Sequence, residues 1–245
     1  MRASEALAAL TATKPAFAET EAEQLTQLAD ACMRRGSVAW LEVGAGDGRN
    51  LAFQLGVLGV GRAIRAVAVE PAHMHPAPIE GVEWVSCRIE DYRPDRPFDW
   101  IGIRHSAYYI TDPVGEIARL TRSLTAGGTL ALTHWGGDCI LRRLHVAMCG
   151  DTGEAAVLGV EDLSQELAAV SDLDVSPTIE TCTVLDVSKV LADPTIAAAL
   201  AKLACRGRQR LRPGSDPATE ATDIIDQLPN SGARRNGIVL VRRRP

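Results

Sequence analysis

Apolar residues in this chain form short continuous runs separated by stretches of helical spacing, and that alternation predicts an α/β protein. The runs Val38–Val43, Ile64–Val69, Trp84–Cys87, Phe98–Arg104 and Leu130–His134 have the length and the β-branched or aromatic character of buried strands. Helical spacing fills the segments between them, at Arg49–Leu58, closed by Gly59 and Gly61, and at Val114–Leu124. An amphipathic helix is predicted upstream over 19–35, with Leu25, Leu28, Ala29 and Cys32 on one face. T-A-G-G-T reads as the turn into the fifth strand. Beyond Trp135 the pattern loosens. Helices are predicted at Cys139–Met148, Asp162–Val170, 194–205 and 217–228, and strands at Thr178–Leu185 and Gly237–Arg242.

A strand–helix–strand repeat of this kind implies a doubly wound sheet, here of about seven strands, mostly parallel with an antiparallel last strand. The weaker second half fits a small C-terminal cap. The expected organisation is a single domain over 1–245: an N-terminal helical segment (1–36), a ligand-binding core (37–135), and a region completing the sheet and capping it (136–245).

Composition narrows the class. Hydrophobic residues make up 46% and charged residues 23%, the profile of an ordinary globular protein, and 245 residues suffice for one well-buried domain. No apolar run reaches the roughly 20 residues that span a bilayer, and A-L-A-A-L near the start is too short for a secretory leader. Six scattered cysteines without a C-x-x-C pair read as reduced thiols, so a cytoplasmic protein without membrane association is expected. The net charge of −5 argues against nucleic acid as a partner, although R-G-R-Q-R-L-R (206–212) and Arg242–Arg244 form basic clusters. The sequence leaves the oligomeric state open.

Candidate chemistry concentrates in V-A-W-L-E-V-G-A-G-D-G-R-N, Val38 to Asn50. A strand ends in Glu42 and three glycines follow at alternate positions, Gly44, Gly46 and Gly48, ahead of a helix. This is where nucleotides bind in open α/β sheets. The spacing is G-x-G-x-G rather than the dinucleotide G-x-G-x-x-G, so a NAD-linked oxidoreductase lacks its fingerprint. The carboxylates of Glu42 and Asp47 repel a pyrophosphate and suit a ligand bearing an amino group and a sulfonium. Glu70 closes the second strand, where a carboxylate can accept both ribose hydroxyls of a nucleoside. After the third strand Ile89, Glu90 and Asp91 are candidates for adenine, the apolar side chain packing on the ring and an acid taking its amino group.

The loop R-H-S-A-Y-Y-I-T-D-P, Arg104–Pro113, follows the fourth strand at the end of the sheet that binds ligands. His105 titrates near neutrality and can orient or deprotonate a nucleophile. Tyr108 and Tyr109 are candidate walls of an acceptor site, and Trp135, which follows the fifth strand, joins them. His73, His75, His134 and His145 lack convergent ligands, so no metal site is predicted. No G-x-S-x-G elbow or P-loop supports a hydrolase or an NTPase.

Taken in order, L-E-V-G-A-G-D-G, V-A-V-E-P, V-S-C-R-I-E-D-Y and I-R-H-S-A-Y-Y-I-T-D-P (38–113) resemble the Rossmann-like class I S-adenosylmethionine (SAM) dependent methyltransferases, in particular the histamine N-methyltransferase-like branch. V-L-D-V-S-K and N-G-I-V-L-V resemble its later segments more loosely. The resemblance implies SAM as cofactor, held by Gly44, Glu70, His75, Glu90 and Arg104, and a small-molecule acceptor. It sets His105 where the family has an amide facing the amine, Glu21 near an acidic acceptor contact and Asn236 near a C-terminal amide contact. The histidine is a departure that leaves the acceptor open: an amine or imidazole is preferred, with O- or C-methylation of a specialised metabolite as the alternative. A SAM-binding regulatory protein without catalysis is the rival from another class.

Overall fold

The computed structural model describes residues 17–32, 36–58, 63–71, 79–149, 158–184, 193–204, 216–227 and 233–244. Two compact units divide the chain. The larger comprises Ala18–His134, Asp162–Ile179 and Gly237–Pro245, and the other Met1–Phe17, Trp135–Glu161 and Glu180–Asn236.

Apart from β6, which sequence did not predict, the chain alternates as expected: α1 (Phe17–Cys32), β1 (Ser37–Val43), α2 (Arg49–Leu58), β2 (Ala63–Val69), β3 (Val82–Val85), β4 (Phe98–Arg104), α3 (Pro113–Thr121), β5 (Leu124–Trp135), α4 (Ile140–Cys149), α5 (Val160–Ala168), β6 (Leu173–Val175), β7 (Ile179–Val184), α6 (Pro194–Ala204), α7 (Pro217–Gln227) and β8 (Ala233–Arg243). The strand order is β3-β2-β1-β4-β5-β8-β6, with β7 also paired to β8. Neighbours from β3 through β5 run parallel, and β6 lies antiparallel to β8. The expected fold class, a mostly parallel Rossmann-like sheet with antiparallel C-terminal pairing, is the one observed, and it matches that of solved methyltransferases.

The order reverses at β1. From β1 the chain goes outward through α2 to β2, whereas β4 leads through α3 to β5 on the other side. Right-handed crossovers therefore put α2 and α3 on opposite faces, and the boundary between β1 and β4 is the switch point at whose carboxyl end open α/β sheets bind ligands.

Both faces are apolar, because strands buried between two helical layers carry continuous rather than alternating hydrophobicity. On one face Trp40, Ala66, Ala68, Trp100 and Ala131 meet Leu25 and Ala29 of α1 and Leu51 and Leu58 of α2. The rings of Trp40 and Trp100, paired in register, stand 5.7 Å apart. The alternate residues Leu41, Val43, Val67, Val69, Ile101, Ile103, Leu130 and Leu132 are buried on the other face.

Several boundaries shift from expectation, among them β3, observed at Val82–Val85, and β8, which begins at Ala233. β5 begins at Leu124 rather than Leu130, because the predicted turn is absorbed as a bulge. Phe98 pairs with Leu124 and Trp100 with Thr129, and Gly127 takes the left-handed conformation (φ +78°) that this slip needs. α3 begins at Pro113, capped by Asp112, whose Oδ1 accepts the Gly115 N–H at 3.0 Å. It ends at Thr121, where the Ser123 carbonyl already accepts the Phe98 N–H at 2.7 Å. In the smaller unit α4, α6 and α7 pack on one another, with Leu141, Leu144, Leu200, Ala201, Ala221 and Ile225 buried. Among the described residues no helix is long and apolar enough to cross a membrane.

Candidate active site

The glycine loop knits the ends of β1 and β2. Gly44, Gly46 and Gly48 all have positive φ (+69°, +60° and +78°). The Gly44 N–H donates to the Val69 carbonyl at 2.8 Å, and the Gly46 N–H donates to Glu70 Oε2 at 2.9 Å. The Gly48 carbonyl accepts the Ala52 N–H at 2.8 Å and so starts α2. Glu70 is half-buried. Burial raises its carboxyl above the usual range, and the Gly46 hydrogen bond pulls it part of the way back.

Gly44 also touches the loop after β4. A Cβ there would overlap Ser106, whose hydroxyl donates to the Val43 carbonyl at 2.9 Å. Ser106 escaped sequence reading because nothing in its neighbourhood marks a serine as the side chain against which a glycine 62 positions earlier is fitted. His105, immediately before it, has φ +48° and is the only described non-glycine with positive φ. Its N–H donates to the Thr133 carbonyl at 3.0 Å. Left-handed backbone at a histidine costs energy and recurs at ligand-handling positions.

Glu42 lies in the sheet interior, 3% exposed. Trp40 Nε1 donates to its Oε2 at 3.0 Å, and its carboxylate fills the space that a side chain at Gly102 would need. Burial pushes its pKa up, while the charge of Arg104 and the Trp40 bond act in the opposite direction. The folded state thus holds this proton above the ordinary glutamate value of 4.5. The linked stability is present below that value and is lost as pH rises through the folded pKa. Glu42→Gln, which keeps an oxygen for Trp40, removes that loss. Its urea midpoint is expected to decline less than that of the wild type from about pH 4.5 to 8, the remaining slope including the share of Glu70, as unfolding curves at several pH values would record.

The remaining predicted residues fall into separate groups. Arg104 ends β4 in register with Thr133. Ile89 is 6% exposed, within the short 3-10 turn Ile89–Asp91, and Glu90 pairs with Arg88 at 2.8 Å. Burial alone would raise the Glu90 carboxyl, but hydrogen bonds from Arg88 and backbone N–H groups, together with the charge of Arg88, outweigh it and hold the group below the usual range. Tyr108 is half-buried and Tyr109 is 52% exposed, their rings edge to face at 4.9 Å. Tyr108 also stands 5.2 Å from the ring of His134, a buried residue that sequence reading weighed only as a metal ligand. Its place at the carboxyl end of β5 was the available signal.

Trp135 and Asn236 are buried and belong to the smaller unit, where Asn236 Oδ1 lies 4.0 Å from Cys139 Sγ. The side chain of Glu21, on α1, and the whole of His75 lie outside the described residues. The structure therefore joins Gly46 to Glu70 and sets Gly44 against Ser106, the neighbour of His105, at the carboxyl ends of β1, β2 and β4, where Arg104 also acts on the buried Glu42.

No family model and no curated protein matches the chain. Solved structures do. The plantazolicin methyltransferase BpumL, crystallised with a pentazolic desmethylPZN analog and SAH, is 14% identical over 98% of this chain and 91% of its own, with a TM-score of 0.59. A candidate methyltransferase from Bacillus halodurans C-125 is 14% identical over 92% of this chain and 99% of its own, at 0.61. YjhP from E. coli is 15% identical over 98% and 99%, at 0.57. Identities this low speak for architecture: the chain has the Rossmann-like fold of the plantazolicin methyltransferase.

Proposed function

We propose that this protein is a SAM-dependent methyltransferase that transfers a methyl group to a small-molecule acceptor, by preference to the nitrogen of an amine or imidazole. The observation that carries the reading is the left-handed glycine loop joined through Gly46 to the carboxylate of Glu70. Glu70 Oε2 is fixed by that bond, which leaves Oε1 to accept ribose hydroxyls. The backbone at Gly44 allows a ligand to approach where a Cβ would intrude. The SAH complex of BpumL supports the same cofactor here.

SAM supplies a methyl group made electrophilic by its sulfonium. The protein's share is alignment of the acceptor lone pair with the C–S bond, excluding water and disposing of a proton. An attacking amine must be neutral. Glu21, assigned from sequence alone, would orient it, and His105 would take the proton released as the new N–C bond forms. Tyr108, Tyr109, Trp135 and Asn236 are the proposed acceptor contacts, and Arg104, Ile89, Glu42 and His75 further cofactor contacts; Glu90, given by the resemblance as a cofactor contact, acts instead through Arg88 and Thr111. The histamine N-methyltransferase-like branch is part of this proposal and rests on the motifs in 38–113. The likeness to the plantazolicin methyltransferase favours a second reading, an acceptor of specialised metabolism.

The test is methyl transfer from labelled SAM to a panel of amines, imidazoles and phenols. With the acceptor that responds, His105→Ala is expected to lower kcat by about 10²–10³-fold, the range for losing a proton-transfer group. Unchanged turnover removes His105 from the mechanism. SAH binding without transfer to any acceptor favours a regulatory protein.

A further inference from the structure

Around Glu90 the structure joins two loops that the sequence separates by about 20 residues. Thr111 presents its N–H to Glu90 Oε1 at 3.3 Å, and Arg88 Nη2 reaches the same oxygen at 2.8 Å. Arg88 Nη2 lies 3.4 Å from Thr111 Oγ1, and Arg88 Nε 3.4 Å from Glu90 Oε2. The turn is also held from beneath: Arg93 Nη1 donates to the Glu90 carbonyl at 2.6 Å, and Arg119 of α3 donates to the Ile89 carbonyl at 3.1 Å while paired to Glu116. The segment after β3 is thereby tied to the last turn of α3 and to the end of the loop that carries His105, Tyr108 and Tyr109.

Each of these bonds is partly exposed and worth under about 1 kcal/mol in stability. Several of them converge on one carboxylate. A side chain committed to Arg88 and Thr111 has a structural occupation other than an adenine amino group.

We propose that Glu90 is a positioning residue: together with Arg88 it transmits ordering of the segment after β3, when a nucleoside cofactor binds, to the loop from Ser106 to Val114 that faces the acceptor. The proposal rests on the cofactor reading above. Ligand binding that rigidifies one segment lowers the ordering cost of whatever that segment grips, which makes a following ligand bind better without a change of shape. The acceptor therefore binds better once the cofactor is in place, and by linkage the cofactor binds better when the acceptor is present.

Amide hydrogen exchange with and without saturating SAH tests this in the full-length protein. In the wild type, exchange is expected to slow at least threefold in peptides covering both Cys87–Tyr92 and Ser106–Val114. Glu90→Ala, compared at its own saturating SAH concentration, is expected to retain the first protection and lose the second. Glu90→Gln keeps an acceptor for the Thr111 N–H and should retain at least half of the second. Undiminished protection of Ser106–Val114 in Glu90→Ala overturns the coupling, as does its absence from the wild type when Cys87–Tyr92 is protected. Absence of SAH binding by calorimetry overturns the cofactor reading itself, and the coupling with it.

Discussion

Glu70→Ala is expected to weaken SAH binding about a hundredfold, or about 2.7 kcal/mol. The substitution removes a charged acceptor for ribose hydroxyls, and such hydrogen bonds contribute about 1.5–3 kcal/mol each. It also frees the Gly46 N–H that now donates to Glu70 Oε2 at 2.9 Å, so the glycine loop loses its tie to β2. Glu70→Gln keeps an acceptor without the charge and should cost about tenfold, half the free energy of the truncation. The pH dependence has a defined sign. Burial raises the Glu70 carboxyl, opposed by the Gly46 hydrogen bond, so as pH falls it gains a proton before an ordinary glutamate would. Affinity should therefore decline on acidification from a point above 4.5, and the decline should disappear in Glu70→Gln. Calorimetric titration of SAH measures all of this. Affinity for Glu70→Ala within threefold of the wild type would remove the residue from the cofactor site.

Gly44→Ala is the substitution expected to damage the fold most. An alanine at φ +69° carries a left-handed penalty of about 1–2 kcal/mol. Its Cβ also overlaps Ser106 Cβ and approaches Ser106 Oγ to 2.8 Å, an overpacking of the kind that costs about 1–3 kcal/mol. A loss of about 3 kcal/mol in urea unfolding is expected, with SAH binding lost as the β1 loop moves. The two causes separate in a double variant. Gly44→Ala/Ser106→Gly relieves the overlap and leaves the backbone penalty, so it should be more stable than Gly44→Ala alone. Ser106→Gly by itself should cost only about 1 kcal/mol for the bond to the Val43 carbonyl. If Gly44→Ala unfolds within about 0.5 kcal/mol of the wild type, the close approach of the β1 and β4 loops does not govern this end of the sheet.

The strands of the larger unit were legible because burial on both faces leaves continuous apolar runs. β4 at Phe98–Arg104 and α2 at Arg49–Leu58 have the predicted bounds, each closed by a polar or glycine signal adjacent in sequence. β6 at Leu173–Val175 was missed, since three residues display no period and its pairing to β8 is made with residues about 70 positions away. The extension of β5 back to Leu124 was hidden for a related reason: T-A-G-G-T has the composition of a turn, and only its pairing with β4 makes it a bulge.

At the site the same division holds. Local sequence determined the glycine loop, the acid that ends β2 and the histidine that follows β4, because each is dictated by neighbouring residues: a strand ends, a tight turn must form, a helix must start. Tertiary structure alone decided that Glu42 is buried against Gly102, that Ser106 sets the space above Gly44, that Tyr108 lies against His134, and that Glu90 grips Thr111. These are contacts between strands and loops far apart in sequence. Their distances depend on sheet order and register, which a one-dimensional pattern does not encode beyond the reach of its own period.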